Sequence, residues 1–286
     1  MANPRSGHLA PRLPELTRRV RALGAELRLT AHPGHAQTLA AAAVEAGCAT
    51  VVAVGGDGTV NEVARALAGT PAALGLIATG SGNGLARHLG LHGTWDPAFA
   101  ARPRGPPPPI DVGFAGGYAF LNVAGLGFEA DLADRFNRAR RRGLLAYTLL
   151  TLRALRAAHP LTCRIHAGDT TQAFTASTLA VANASQYGGG IRIAPRARID
   201  DGLLDLCALP PLRWTNLLPL TWRLRCGHID AAPGVLQLQA PAFTVDLPGP
   251  ARLHTDGEVH PVGSRVEFTL KPQHLRVVCP PFAAPR

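Results

Sequence analysis

The sequence is poor in lysine, in aromatic residues and in paired cysteines. One of its 29 basic Lys and Arg residues is a lysine, Lys271, aromatic residues make up 5% of the chain, and none of its 5 cysteines forms a CxxC pair. A GxxxxGK[ST] phosphate-binding loop is therefore excluded, because no lysine follows a glycine-rich turn. The cysteine spacing favours neither a disulfide framework nor a zinc site.

Long apolar runs are also missing. The chain has 286 residues and a hydrophobic fraction of 47%, which is enough for one large domain or two modest ones. No apolar run reaches the roughly 18 residues of a membrane-spanning helix. The stretch from Met1 to Gly7 lacks the apolar segment of a signal peptide. From these absences we expect a cytoplasmic protein.

The charge is strongly one-sided, with a formal net charge of +10 at pH 7. A basic protein favours an anionic partner: a nucleotide, a nucleic acid or an acidic membrane surface. No RNP, KH or helix-turn-helix signature is present, so we predict no nucleic-acid partner. Residues 135–143 are strongly basic and precede an apolar stretch at 144–150. They form either a solvated face beside a core helix or an element that contacts anionic lipid headgroups.

The order of the predicted elements indicates two kinds of architecture. Apolar segments at residues 49–54 and 74–78 are each followed by a glycine-rich turn and a predicted helix, a pattern typical of an α/β domain with buried parallel strands. After the proline-rich connector at 102–109, short strand-like segments separated by turns predict a mostly antiparallel β domain. One conspicuous helix, residues 144–158, interrupts that second part.

The clearest chemical signal is the turn Gly55-Gly56-Asp57-Gly58-Thr59, which directly follows the first apolar strand. Glycines let the backbone N–H groups approach a phosphate, and the following helix adds its positive end. A carboxylate beside phosphates indicates Mg²⁺ binding or proton transfer, and hence phosphoryl chemistry. The alternative is an ordinary turn between strand and helix. Two further glycine turns, at residues 3–7 and 79–87, favour the first interpretation, because loops after parallel strands converge on one edge.

Five motifs together resemble the diacylglycerol kinase catalytic-domain family, which includes bacterial lipid kinases, sphingosine kinases and ceramide kinases. They are NPxSG from Asn3, GGDGTxNEV from Gly55, GSGNGLAR from Gly80, FLNVAGLGF from Phe120, and DGE at Asp256. The resemblance implies an α/β N-terminal domain like that of NAD kinases and phosphofructokinases, followed by a β-sandwich, with the active site between them. We expect a nucleotide-binding domain over 1–112 and a lipid-substrate domain over 113–275. Residues 276–286 are expected to return to the first domain.

The resemblance also implies roles for individual residues. The catalytic candidates are Asp57, Asp256 and Glu258, with Asp57 and Asp256 also expected to bind metal. The implied nucleotide contacts are Asn3, Ser6, Gly7, Thr30, Gly55, Gly56, Gly58, Thr59, Gly80, Ser81, Gly82 and Asn83. The loop containing Asp201 and Asp205 is either a structural metal site or a plain surface turn.

Two departures from the family pattern stand out. Many bacterial members have Asn-Asp where this chain has Asn83-Gly84, so one acidic group of the magnesium-linked network is missing, and Asp111 is a candidate to replace it in part. Only Met1 and Ala2 precede the NPxSG motif, where the family has an apolar strand. Either the true start lies upstream, or the first strand is very short.

The expected activity is transfer of the γ-phosphate of ATP to a lipid hydroxyl, with ATP and Mg²⁺ as cofactors. Diacylglycerol, a sphingoid base and related lipids remain open as acceptors, as does the choice between Asp57 and Asp256 as the base. An NAD kinase-like enzyme and a non-catalytic protein that binds nucleotides or anionic lipids are the alternatives. The expected partners are a lipid substrate at a membrane surface, anionic lipid headgroups and a second copy in a homodimer. The location implied is cytoplasmic, with peripheral membrane association.

Overall fold

The computed structural model describes residues 1–7, 9–93, 106–128, 130 and 160–279. These residues form two compact units. The first contains the described residues of Met1–Val112, together with Tyr187–Gly190 and the described residues from Lys271 onward. The second contains the described residues of Gly113–Gln186 and of Ile191–Leu270. The chain therefore leaves the first unit twice and returns to it twice, first at the short glycine-rich segment Tyr187–Gly190 and again at Lys271.

The first unit is built on parallel strands. Strand β1 (Thr50–Gly55) pairs with β2 (Ala73–Ala78) in parallel register, and the last residues of β14 (Arg265–Val277) add to the other side of β2. Both β1 and β2 consist almost entirely of apolar residues, which suits strands covered on both faces. The helices among the described residues of this unit are α1 (Leu9–Ala22), α2 (His35–Glu45), α3 (Asp57–Leu67) and α4 (Gly84–His88).

The start of the chain joins this sheet through a single residue. Ala2 forms parallel bridges to Leu29 and to Val54, and its carbonyl accepts a hydrogen bond from the Thr30 N–H. Leu9 and Leu16 of α1 are fully buried against Ala2 and its neighbours. The asparagine of the NPxSG motif is thus fixed beside the end of β1, because the residue before it is locked into the sheet.

The second unit consists of antiparallel pairings. One sheet runs β10–β9–β8–β5–β12–β13, and a second set joins β7, β6, β11 and the first part of β14, with the β3–β4 pair beside it. The strands are β3 (Pro109–Ala115), β4 (Tyr118–Phe120), β5 (Val123–Gly127), β6 (Leu161–Ala167), β7 (Thr170–Ala176), β8 (Thr178–Ala182), β9 (Leu204–Leu209), β10 (Leu236–Ala240), β11 (Phe243–Asp246), β12 (Ala251–Thr255) and β13 (Glu258–Val262). One core centred on Phe120, Phe243 and Phe268 takes side chains from both sets. Burial alternates along β11 and the first part of β14, as expected for sandwich strands with one face to bury, whereas β5, β8 and β9 are buried along nearly their whole length.

The predicted fold class is confirmed, with an α/β first part and an antiparallel β second part. Helix α3 begins at Asp57, so this acidic residue lies in the first turn, where the helix dipole stabilises it. The helix α5 (Trp214–Cys226) was not predicted. Its internal Pro219 and the preceding Pro210-Pro211 pair are local signals against a helix. In the structure, however, Pro219 lies inside the helix on its exposed side. The predicted helix 144–158 and the basic stretch 135–143 lie outside the described residues.

Candidate functional site

The glycine turns of the first unit converge, as predicted from the parallel strands. A Cβ atom at Gly80 would lie 2.7 Å from the Cα of Gly56, so the two loops after β1 and β2 touch backbone to backbone. At Gly7 a Cβ would lie 1.8 Å from the carbonyl oxygen of Thr79, and its φ of +50° also favours glycine. Any side chain at Gly7 or Gly80 would push the turns apart.

Side-chain hydrogen bonds tie the same turns together. The Asn3 amide Nδ2 donates to the Thr59 hydroxyl at 3.3 Å, and the Thr79 hydroxyl donates to the Ser6 hydroxyl at 2.9 Å. These two bonds link the first turn to the loops after β1 and after β2. The predicted nucleotide contacts in the three turns are thus neighbours in the structure, and Gly7, Gly58 and Ser81 are exposed among them.

Asp57 holds the second loop in place. Its Oδ2 accepts a hydrogen bond from the Asn83 N–H at 2.8 Å and its Oδ1 accepts one from the Gly84 N–H at 2.7 Å. Asn83 has a left-handed backbone (φ 54°), and its amide donates to the Gly80 carbonyl at 2.7 Å. Each Asp57 oxygen accepts one N–H, so each keeps acceptor capacity for a cation or a proton. The predicted catalytic residue therefore also has a positioning role.

The first turn of α3 offers backbone donors. Its N-cap residue is Gly56, which makes no side-chain capping hydrogen bond. The first N–H groups of a helix have no partner within the helix, and an anion is a suitable one. A Cβ atom at Gly58 would meet no other atom within 4 Å, so the space above this turn is open to a ligand. The geometry fits the phosphate groups of a nucleotide.

Glu62 is a residue of this site whose role we did not predict. Its two carboxylate oxygens accept hydrogen bonds from the Gly34 N–H at 2.8 Å and from the Ala36 N–H at 3.0 Å. Glu62 thereby caps helix α2 and anchors the loop that follows Thr30, the predicted nucleotide-contacting threonine. The available signal was the glutamate of the GGDGTxNEV motif, which lies one turn beyond the phosphate-binding loop.

A second feature missed from the sequence is the segment Tyr187–Gly190, which belongs to the first unit. The Gly189 N–H donates to the Gly82 carbonyl at 3.0 Å. A Cβ at Gly188 would lie 3.1 Å from the Cα of Gly82, so this segment packs directly on the GSGN loop. Three consecutive glycines at 188–190, all with positive φ, were the signal available in the sequence.

In the second unit, Asp256 anchors the FLNV segment. Its Oδ2 accepts from the Leu121 N–H at 2.7 Å, and its Oδ1 accepts from the Asn122 and Val123 N–H groups at 2.9 and 3.0 Å. Asp256 lies in the turn between β12 and β13 with a φ of +50°. Glu258 begins β13, is half-buried, and pairs with Thr255. The DGE motif and the FLNV motif are thus adjacent, although they lie far apart in sequence.

Comparison with known proteins agrees with these two arrangements. A family model described as diacylglycerol kinase catalytic domain matches residues 1–115. A second, described as YegS C-terminal NAD kinase beta sandwich-like domain, matches residues 122–279. The chain belongs to the diacylglycerol kinase family. This membership makes it a kinase of the lipid kinase class.

Individual relatives cover most of this lipid kinase family member. A Pseudomonas aeruginosa protein named "Probable lipid kinase YegS-like" is 33% identical over 274 residues, which is 91% of this chain and 87% of the relative. A "Diacylglycerol kinase" of Mycobacterium tuberculosis is 35% identical over 232 residues, or 78% of this chain and 74% of the relative. Two crystal structures of Bacillus anthracis proteins share the fold. One, of a diacylglycerol kinase, has a TM-score of 0.69 at 20% identity and covers 98% of this chain and 95% of its own. The other has a TM-score of 0.78 at 22% identity, with 98% and 96% covered.

The acidic residues predicted to hold metal differ in their surroundings. Burial, with the charge of Asp201 in addition, raises the pKa of Asp205 to about 6. The Asp201 Oδ1 accepts from the Leu203 N–H at 3.0 Å. Asp111, the candidate replacement for the missing acid, is fully buried, and its Oδ1 accepts from the Gln273 N–H at 2.7 Å. No group of three or more metal-ligating side chains occurs within the described part of the chain, and the metal assignments stay predictions.

None of the helices that the structure describes is both long and apolar enough to cross a membrane.

Proposed function

We propose that this lipid kinase family member transfers the γ-phosphate of ATP to the hydroxyl group of a lipid, with Mg²⁺ as the accompanying cation. Diacylglycerol, a sphingoid base or a related lipid would be the acceptor. The observation that carries the proposal is the contact between the loops after β1 and β2, which Asp57 ties together through the N–H groups of Asn83 and Gly84.

The first unit would hold the nucleotide through its backbone. The open first turn of α3 supplies N–H donors to the phosphates without the lysine that a GxxxxGK[ST] loop requires. Asn3 and Thr59 are hydrogen-bonded to each other, and Ser6 to Thr79, so the three turns are held in position before any ligand arrives. Preformed donors lower the reorganisation needed in the transition state, where negative charge spreads over the transferred phosphoryl group.

The chemistry of the acceptor hydroxyl needs a group that receives its proton. We propose Asp57 for this role, because its two oxygens each have an unused acceptor position and it lies, half-buried, in the first turn of α3. Mg²⁺, when bound there, would neutralise charge on the phosphate oxygens. Asp256 and Glu258 of the second unit are proposed to position the acceptor, with Asp256 fixed by three backbone N–H groups.

The structure offers a direct test of phosphate binding at Gly58. The protein leaves room for a methyl group there, so Gly58→Ala should fold normally, and alanine at a helical position should not lower the melting temperature. A phosphate resting on the turn would meet the same methyl group. We therefore expect the Kd for ATP, measured by calorimetry, to rise at least about tenfold, which corresponds to about 1.4 kcal/mol.

The matched control is Gly249→Ala in the second unit, where a Cβ also meets nothing within 4 Å. It should change neither the melting temperature nor ATP affinity. The activity itself is tested with radiolabelled ATP and Mg²⁺ against diacylglycerol, sphingosine and ceramide in mixed micelles, with NAD⁺ as the acceptor of the rival enzyme. Phosphorylation of NAD⁺ alone, or an unchanged ATP affinity in Gly58→Ala, would reject the proposal.

A further inference from the structure

Helix α5 exposes three large apolar side chains. Trp214, Leu218 and Trp222 have exposed fractions of 61%, 79% and 60%, whereas Leu220 on the opposite side of the helix is 5% exposed. The other two large apolar residues exposed among those described, Leu29 and Tyr118, are far from α5 in sequence and are single. We call Trp214, Leu218 and Trp222 the tryptophan stripe.

The stripe is continuous because its members are spaced four residues apart. Residues i, i+4 and i+8 lie on one helix face, and at 1.5 Å per residue the stripe is about 12 Å long. The flanking Thr215 and Thr221 are also exposed. Single exposed apolar residues need no explanation, but a contiguous row with polar borders marks a contact surface.

The charge along α5 and its flanking residues is of one sign. No acidic residue occurs between Asp205 and Asp230, while Arg213, Arg223 and Arg225 fall within that interval. Arg213 and Arg225 are exposed at the two ends of α5, and Arg225 follows the stripe on the same face. Arg225 forms no ion pair with a residue that the structure describes. Asp230, the next acid, is bound to another residue, Arg196, at 2.6 Å.

These charges decide between the candidate partners. A second copy of the chain, placed stripe to stripe, would bring arginines together without an acidic residue of α5 to pair with them, and like charges repel. An anionic lipid surface attracts the arginines and accepts tryptophan and leucine at its headgroup level. We propose that the tryptophan stripe of α5 docks this kinase on anionic bilayers.

The helix is suited to lie in the plane of the membrane surface. Its 13 residues span about 20 Å, less than the roughly 30 Å of a bilayer hydrocarbon core. With its apolar face in the headgroup boundary and its arginines beside the anionic groups, it matches an interfacial helix. The docking itself does not depend on the proposed function. The proposed function supplies only the purpose of docking, since a lipid acceptor must be reached in a bilayer.

The first test is co-sedimentation with vesicles, without ATP. The wild-type protein should bind vesicles of phosphatidylcholine mixed with phosphatidylglycerol more strongly than vesicles of phosphatidylcholine alone. The variant Trp214→Ser/Leu218→Ser/Trp222→Ser should lower the partition coefficient at least about tenfold, because binding scales with buried apolar area. Arg225→Ser should lower it about fivefold on the anionic vesicles only. Leu218→Ser should have a clear effect, whereas the matched control Leu29→Ser, at an exposed leucine of the first unit, should have none.

A second test reports on depth and needs no change to the stripe. The chain has 3 tryptophans, so Trp95→Phe leaves fluorescence from Trp214 and Trp222 alone. Lipids brominated near the top of the acyl chain should quench this fluorescence in anionic vesicles. Circular dichroism and melting temperature of each variant should match the wild type, because every substituted stripe residue is exposed.

Three results would overturn the docking proposal. They are wild-type binding by the triple serine variant, absence of bromine quenching, and a wild-type dimer in ultracentrifugation that the triple variant loses while keeping its vesicle binding. Failure of the kinase proposal would appear as no lipid phosphorylation even in detergent micelles, where no bilayer is required. A stripe variant should therefore keep its micelle activity and lose activity on anionic vesicles.

Discussion

Asp57 and Asp256 are both aspartates followed by glycine, and both accept backbone N–H groups from a distant segment, yet they are built differently. Asp57 lies in the first turn of a helix and bonds to residues 26 and 27 positions away, with one N–H on each oxygen. Asp256 lies in a hairpin turn and bonds to residues 133 to 135 positions away, with three N–H groups.

The difference indicates how each carboxylate is used. Two donors leave Asp57 with spare acceptor positions on both oxygens, at the edge of an open helix terminus. Three donors and a left-handed backbone make Asp256 a structural anchor for the FLNV segment, since a charged acceptor stabilises backbone donors more than a neutral one does. We therefore expect chemistry to depend most on Asp57 and stability to depend most on Asp256.

The largest expected effect is that of Asp57→Asn on turnover. Loss of the charge should lower kcat for lipid phosphorylation at least about 100-fold. Stability should fall by only about 1–3 kcal/mol, because the amide still accepts one of the two N–H groups while its Nδ2 faces the other. Rates are measured at saturating ATP and urea unfolding reports stability. A folded variant with wild-type kcat would remove Asp57 from the catalytic machinery.

Asp256 should affect stability at least as much as Asp57 and turnover less. Asp256→Asn keeps an acceptor and tolerates the left-handed backbone, so its unfolding free energy should drop by about 1–3 kcal/mol. Asp256→Ala loses all three acceptor contacts and should drop further. Turnover of Asp256→Asn and of Glu258→Gln should fall while ATP affinity by calorimetry is retained. Equal stability of the wild type, Asp256→Asn and Asp256→Ala would refute the anchoring role.

Glu62 provides a third carboxylate that bridges two segments, in this case the first turn of α2 and helix α3. Glu62→Gln loses one of its two cap hydrogen bonds and the charge at the N-terminus of α2. It should cost about 0.5–2 kcal/mol of unfolding free energy. Because the anchored loop follows Thr30, KM for ATP should rise while kcat at saturation stays near the wild-type value. A fall in kcat with unchanged KM would place Glu62 with Asp57 instead.

The smallest effect concerns Asp205, whose pKa burial raises to about 6. As pH rises from about 4 to 6, the unfolded chain releases this proton before the folded chain does, so stability without metal falls over that window. Asp205→Asn should lack this fall. If the Asp201–Asp205 loop binds Mg²⁺, the ion should raise the melting temperature of the wild type more at pH 7.5 than at pH 5. It should not raise the melting temperature of Asp205→Asn at either pH. The same Mg²⁺ shift in both proteins would favour the plain surface turn.

The sequence analysis succeeded where a signal comes from residues close together in the sequence, and it failed where the outcome depends on packing. β1 and β2 were predicted within one residue of their observed starts, because runs of apolar residues bounded by glycine are local signals. The hairpin of β12 and β13 was not predicted, although Asp256-Gly257 is a strong signal for a two-residue hairpin turn and both residues have positive φ. Helix α5 was not predicted because proline is a local breaker signal, and only packing showed that Pro219 is tolerated.

By itself, the sequence determined the fold class, the glycine turns after β1 and β2 and the presence of phosphoryl chemistry, since periodicity and glycine spacing are properties of neighbouring residues. The tertiary structure alone showed which turns touch, and that Glu62 and Gly188–Gly190 hold neighbouring loops in place. It also showed that Asp256 of the DGE motif accepts hydrogen bonds from the backbone N–H groups of Leu121 to Val123. It also showed that the tryptophan stripe faces outward. Contacts between residues far apart in sequence, and the exposure of a helix face, depend on how the elements pack, and no local pattern contains that information.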